Sequence, residues 1–119
     1  MMHLVKNLEG AVLDAAVAQA EGRALLFEIR GEPSECYVDG VLYQPSTDWS
    51  VGGPLIVRER ITLLGYPRKL GWTAYVRSDF GGSEDYCQNW DAEGEGSTPL
   101  IAAMRAYVAS KFGKDVDLV

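Results

Sequence analysis

The spacing of apolar positions changes several times along the chain, and each change marks an element. Residues 9 to 21, EGAVLDAAVAQAE, place Leu13, Ala16, Val17 and Ala20 at i, i+3, i+4 and i+7, one face of an α-helix. Gly22 is suited to close that helix as a left-handed cap. The face is rich in alanine, so the helix can lie close on its partner, and a sheet is the expected partner. From 24 to 30, ALLFEIR, the period falls to two, with Leu25, Phe27 and Ile29 alternating against Leu26, Glu28 and Arg30 as in a half-buried strand. Cys36, Tyr37 and Val38, then Val41, Leu42 and Tyr43, flank Asp39-Gly40, the dipeptide best suited to a type I′ hairpin turn, whose two central residues both need positive φ.

The next stretch, STDWSVGGP at 46 to 54, combines short polar side chains, a carboxylate, an indole and a Gly-Gly-Pro that reads as a turn. Gly52 and Gly53 would supply positive φ or a close backbone approach, and Pro54 a fixed exit direction. PLIVRERI then reads as a short helix opening at Pro54, although Leu55, Ile56 and Ile61 serve either period. ITLLGYP and WTAYVRS form a second antiparallel pair, with Thr62 and Tyr66 outward and Leu63 inward. Residues 79 to 96 carry four glycines and no periodicity, and read as one long acidic loop.

The last helix is the best marked. Thr98 supplies an N-cap hydroxyl, Pro99 fits the first helical position, and LIAAMRAYVASKF runs to Gly113. Leu100, Ala103, Met104, Tyr107 and Val108 make one face, and Lys111 and Lys114 sit at the favourable end of the helix dipole. With no internal repeat and no linker, the expectation is a single domain over 1–119. Its class is α+β: one small antiparallel sheet of four to five strands with two main helices packed on one face.

Composition narrows the function. An apolar share of 47% and a charged share of 24% are globular averages, and no apolar run approaches the ~20 residues of a membrane-spanning helix. Lys6, Glu9 and Asp14 interrupt the N-terminal apolar residues, unlike a secretory signal, so a cytoplasmic location is expected. Eleven basic against seventeen acidic residues give a formal charge of −6, which disfavours nucleic acid as a partner. Cys36 and Cys87 match no metal or redox spacing and read as free thiols. The single histidine, His3, lies near an end expected to fray, which rules out a histidine triad or multi-histidine metal site. Neither nucleotide-binding glycine motif occurs. No catalytic residue, metal ligand or cofactor is therefore assigned. The carboxylates Asp48, Glu59, Asp79, Glu84, Asp85 and Asp91 have no spacing that says whether they converge.

What remains is a binding surface. Trp72 begins a strand and reads as core, whereas Trp49 and Trp90 lie in polar, glycine-rich loops where an indole lines a pocket or anchors a partner as readily as it fills a core. Ser46, Thr47 and Asp48 can shape a turn with their side chains, the blander role, or join Trp49 and the Gly52-Gly53 backbone in a pocket against Thr98. Arg58 and Arg105 read first as partners of neighbouring carboxylates. The candidate binding set is Ser46, Thr47, Asp48, Trp49, Gly52, Gly53, Trp90 and Thr98. Two functions fit it: a non-catalytic module that binds a macromolecule, or a small-ligand or hydrolytic protein with a nucleotide-like or anionic ligand. Self-association is left open.

YQPSTDWSVGGPLIVRERI and GSTPLIAAMRAYVASKFGKDVDL, taken together, resemble the small phage and prophage NinX-like proteins, a domain family of unknown function. The matching positions are Tyr43, residues 45–49 and 52–54, Glu59, and residues 98–100, 102–105 and 107–111, while LDAAVAQAEG fits the family's opening Leu-Asp-x-Ala-Val-Ala. Val57 departs from the pattern, standing where a glutamate is expected, so that any role for the acid either passes to Glu59 or is abandoned. Residues 62–96 carry no resemblance. The resemblance implies a phage or prophage accessory protein acting inside a bacterial host, so that the macromolecule bound would be a host or phage one, and it implies no reaction.

Overall fold

Local chemistry opens and closes most of the elements. The computed structural model describes residues 2–23, 27–65, 71–77 and 91–118. Expectations for Leu25, Leu26, Tyr66, Asp79, Glu84, Asp85, Cys87 and Trp90 lie outside them. Strand β1 (Met2–Leu4) leads through a single 3-10 turn into α1 (Gly10–Ala20). Strands β2 (Phe27–Arg30), β3 (Glu35–Val38) and β4 (Val41–Leu42) follow, with Asp39 and Gly40 both at positive φ in the β3–β4 turn, as the dipeptide predicts. Helix α2 spans Trp49–Arg58, and β5 (Ile61–Gly65), β6 (Trp72–Val76) and β7 (Ala92–Gly96) precede α3 (Pro99–Phe112) and β8 (Asp115–Asp117). Thr98 Oγ1 caps α3 by accepting the Ile101 amide, and Gly113 ends it at a φ of 82°.

The expected single sheet of four to five strands with two helices on one face is not what these elements build. Three separate sheets form, ordered β1-β8, β2-β3-β4 and β5-β6-β7, all antiparallel, with three α-helices. The cause lies in the helices. Besides its predicted face, α1 buries Ala11, Ala15 and Ala18, and α3 buries Ala102 and Ala106 as well as Leu100, Met104, Tyr107 and Val108. A helix that is apolar nearly all round needs cover on both sides. The two helices therefore pack on each other, with β2-β3 against α1 and β5-β6-β7 against α3. His3 does not fray: it pairs with Val116 between β1 and β8.

Two further expectations are corrected. Helix α2 starts at Trp49, five positions before Pro54, because Asp48 Oδ1 accepts both the Ser50 amide at 2.9 Å and the Ser50 hydroxyl at 2.7 Å. Gly-Gly-Pro is thus helix interior rather than a turn. The supposed loop up to residue 96 ends in a strand, β7, read AEGEG. Its period of two is carried by glycine. A Cβ on Gly94 would stand 2.5 Å from the Ala106 amide nitrogen, and one on Gly96 2.7 Å from that of Ala102. Glycine on the strand and alanine on α3 thus bring the two backbones together, and Glu93 is left outside.

Candidate functional site

The stretch 43–48 is fixed from below before it displays anything. Asp14, on α1, is only 3% exposed, and its Oδ1 accepts the Ser46 amide at 2.9 Å. Burial pushes the Asp14 carboxyl up to about 6, against the opposing pull of the Ser46 hydroxyl and amide beside it. Pro45 is fully buried under α2, where a Cβ on Gly52 would lie 2.4 Å from the Pro45 carbonyl oxygen and 2.7 Å from Leu100 Cδ2. Gly52 is therefore required for close approach. Gly53 is not, since a Cβ there meets only the Trp49 ring at 3.9 Å.

Anchored in this way, the stretch faces the start of α3 across a cleft of about 210 Å³. Ser46, Thr47 and Trp49 line one side, and Thr98, Pro99, Leu100 and Ile101 the other. Four of the candidate residues, Ser46, Thr47, Trp49 and Thr98, thus come together. Asp48 does not line the cleft, because its carboxylate is turned to Ser50, and Gly52 and Gly53 lie in the body of α2. Trp49 is 54% exposed on the rim. Ser46 is 2% exposed, and its Oγ makes no hydrogen bond of normal geometry. In the first turn of α3, Thr98 Oγ1 takes the Ile101 amide, Thr98 O takes that of Ala102, and Pro99 has none. Leu100 is left with the one first-turn amide that has no acceptor within the helix.

The charged residues gather elsewhere. Arg58, at the end of α2, donates from Nη1 to Glu21 Oε1 at 2.9 Å and from Nε to Glu59 Oε2 at 2.8 Å. It also meets the Tyr107 hydroxyl at 3.1 Å, and Tyr107 bonds Glu21. Arg77 joins Glu59, at 2.6 Å, to Asp91. Arg58 hydrogen bonding holds the carboxyls of Glu21 and Glu59 below their usual range, while burial raises the Tyr107 hydroxyl. Every carboxylate here has an arginine, which marks a tie between α1, α2, α3 and the β6-β7 sheet. Asp48 and Glu59 flank opposite ends of α2, roughly 16 Å apart along the axis at 1.5 Å per residue, and do not converge. Arg105 departs from expectation, donating to the backbone carbonyls of Leu8 and Glu95 instead of to carboxylates.

Among the described residues, no three His, Cys, Asp or Glu side chains gather where they could hold a metal ion, and no helix is long and apolar enough to cross a membrane. Cys36 is a buried free thiol, pushed up to about 11 by burial and by Asp14.

Sequence reasoning passed over Asp14, which reads as a break in an apolar helix. The available signal was its place one residue after Leu13, on a helix otherwise free of charge from Gly10 to Ala20. On a helix apolar nearly all round a carboxylate has little solvent face to take, and once buried it needs a donor. None of the curated proteins compared matches the chain. The model of the family described as Bacteriophage P22, NinX matches residues 5–111, a span that takes in α1, the cleft and nearly all of α3, and the chain belongs to that family.

Proposed function

We propose that this NinX-family protein is a non-catalytic binding module of phage or prophage origin, with its contact surface centred on Trp49 and the cleft beside it. The observation that supports this reading is the combination of a 54% exposed indole with a rigid mounting. An aromatic side chain on a fixed backbone loses little entropy when it docks, and such residues dominate interface energies. The mounting consists of the Asp14 bond to Ser46, the Asp48 cap and the Gly52 contact. Host lysate passed over immobilised wild type and Trp49→Ala provides the test. A protein retained by the wild type and lost by the variant supports the surface, and identical retention overturns it.

A second reading, a small-ligand site in the same cleft, is favoured by the convergence of Ser46, Thr47 and Thr98 on the start of α3. A thermal-shift screen separates the two. Ligand at 100 times its Kd stabilises the folded state by about 2.7 kcal/mol, well within detection, whereas a purely macromolecular surface gives no shift with small molecules.

A further inference from the structure

We propose that the open edge of β7 takes an extended, basic segment of a partner protein as an added strand, at a second surface apart from the Trp49 cleft. β7 ends its sheet and pairs only with β6. Glu95 O accepts from Arg105, so the backbone groups of Glu95 face away from β6, and alternation along an antiparallel ladder turns those of Glu93 the same way. The amides of Glu93 and Glu95 and the Glu93 carbonyl have no backbone partner among the described residues. They open on a groove of about 690 Å³, within the range of ligand sites, lined by described residues and floored by Ala109 and Gly113 of α3. Arg105 spans one end of it, donating to Leu8 O on one side and to Glu95 O on the other at 2.8 Å each. Its planar fork bonds across that gap as a peptide group of an added strand would.

Side-chain charge names the occupant. Asp91 is held by Arg77, whereas Glu93 and Glu95 on β7, and Lys6 and Lys114 elsewhere in the lining, make no ion pair among the described residues. Gly94 and Gly96 face α3, so Glu93 and Glu95 stand on the outer face of the strand. An added strand sets its own outer side chains beside these acids, where opposite charges stabilise and like charges do not. A second copy pairing β7 on β7 would bring these carboxylates against their own kind and is rejected on that ground. A segment with Lys or Arg at two alternate positions fits instead, with a small or medium apolar residue between them to lie beside Gly94. β7 runs against α3, Gly96 beside Ala102 and Gly94 beside Ala106, which places Asp91 toward the Gly113 end, where Val5 N bonds Lys114 O. There Arg77 has neutralised the strand's own acid, and an Asp or Glu two positions beyond the second basic residue suits Lys6 and Lys114. Residues 78–90, which precede β7 in sequence, carry Asp79, Glu84 and Asp85 and no base, and the formal charge of −6 over the whole chain also favours a basic segment.

Titration of the full chain with capped peptides, followed by amide NMR and hydrogen exchange, tests the proposal. The probe is acetyl-Lys-Val-Lys-Val-Asp-amide, used with its reversed sequence because either strand direction satisfies the edge. One of the two is expected to slow exchange at the Glu93 and Glu95 amides and to leave the Trp49 indole unmoved. The charge-swapped peptide Glu-Val-Glu-Val-Lys should bind about tenfold more weakly at low salt. Methylating the backbone nitrogens of the probe keeps its charge and removes its strand bonds, and should also weaken it about tenfold. Glu93→Lys combined with Glu95→Lys should invert the preference between the probe and the charge-swapped peptide, and the isosteric pair Glu93→Gln with Glu95→Gln should abolish it. Equal binding of the methylated probe, unchanged exchange at Glu93, or a preference that survives in the glutamine variant overturns the proposal. Trp49→Ala should bind the probe as the wild type does, so that the two surfaces stand or fall separately.

Discussion

Asp14 and Ser46 lie 32 positions apart and are joined by a single buried hydrogen bond, 2.9 Å from the Ser46 amide to the Asp14 carboxylate. That bond ties the display stretch to α1, and it leaves a largely dehydrated negative charge in the core. Burial raises the folded-state value from 3.8 to about 6, so between these values the folded protein binds more protons than the unfolded chain. Stability contributed by this group is therefore full below about pH 4 and falls as pH rises to about 6. Asp14→Asn keeps an acceptor for Ser46 and removes the titration. Urea unfolding at pH 4.5 and 7.5 should show the variant gaining on the wild type with rising pH, by about 2 kcal/mol. A constant difference between the two proteins would mean that Asp14 does not titrate in this range.

Gly52→Ala and Gly53→Ala should part company. The first drives a methyl into the Pro45 carbonyl and Leu100, and is expected to cost more than 2 kcal/mol. The second has room within α2 and should be neutral or stabilising by up to about 1 kcal/mol, the helix-propensity difference between the residues. Trp49→Ala, at an exposed position, should stay within about 1 kcal/mol of wild type. Thermal or urea denaturation of the three variants checks the order.

Gly94→Ala tests the contact between β7 and α3. The added methyl meets the backbone of Ala102 and Ala106, which cannot move aside as a side chain tip can. A loss above 2 kcal/mol is expected, with slowed hydrogen exchange lost across β6 and β7. Full protection in the variant would show that the strand and helix do not approach so closely.

Arg58→Ala removes the cation shared by Glu21 and Glu59, whose side chains are more buried than its own. Because Arg58 is half exposed, solvent screening limits the loss to about 1–2 kcal/mol, and high salt should shrink it. Both carboxyls are held below their usual values, so their contribution is present above about pH 4.5 and is lost as the folded protein is acidified further. Arg58→Lys should restore only part of the stability, since one ammonium cannot reproduce the fork that meets Glu21 and Glu59. Urea titrations at low and high salt measure all three effects.

Features set by neighbours in sequence were legible without the structure: the start of α3 at Thr98-Pro99, its end at Gly113, the turn at Asp39-Gly40, and the body of α1. Each depends on backbone preferences acting over a few residues. The family was legible too, because its matching residues lie in dense local motifs. Only the tertiary structure decided the rest. Asp48 caps α2 locally, but that position 52 must be glycine follows from its close approach to Pro45 and Leu100, a fact of distance and not of propensity. AEGEG became a strand because Gly94 and Gly96 fit against alanines of α3, and glycine carries no hydrophobic period to reveal it. The division into three sheets followed from alanines on the second faces of α1 and α3, which are too small to stand out in a hydrophobicity pattern yet large enough to require cover.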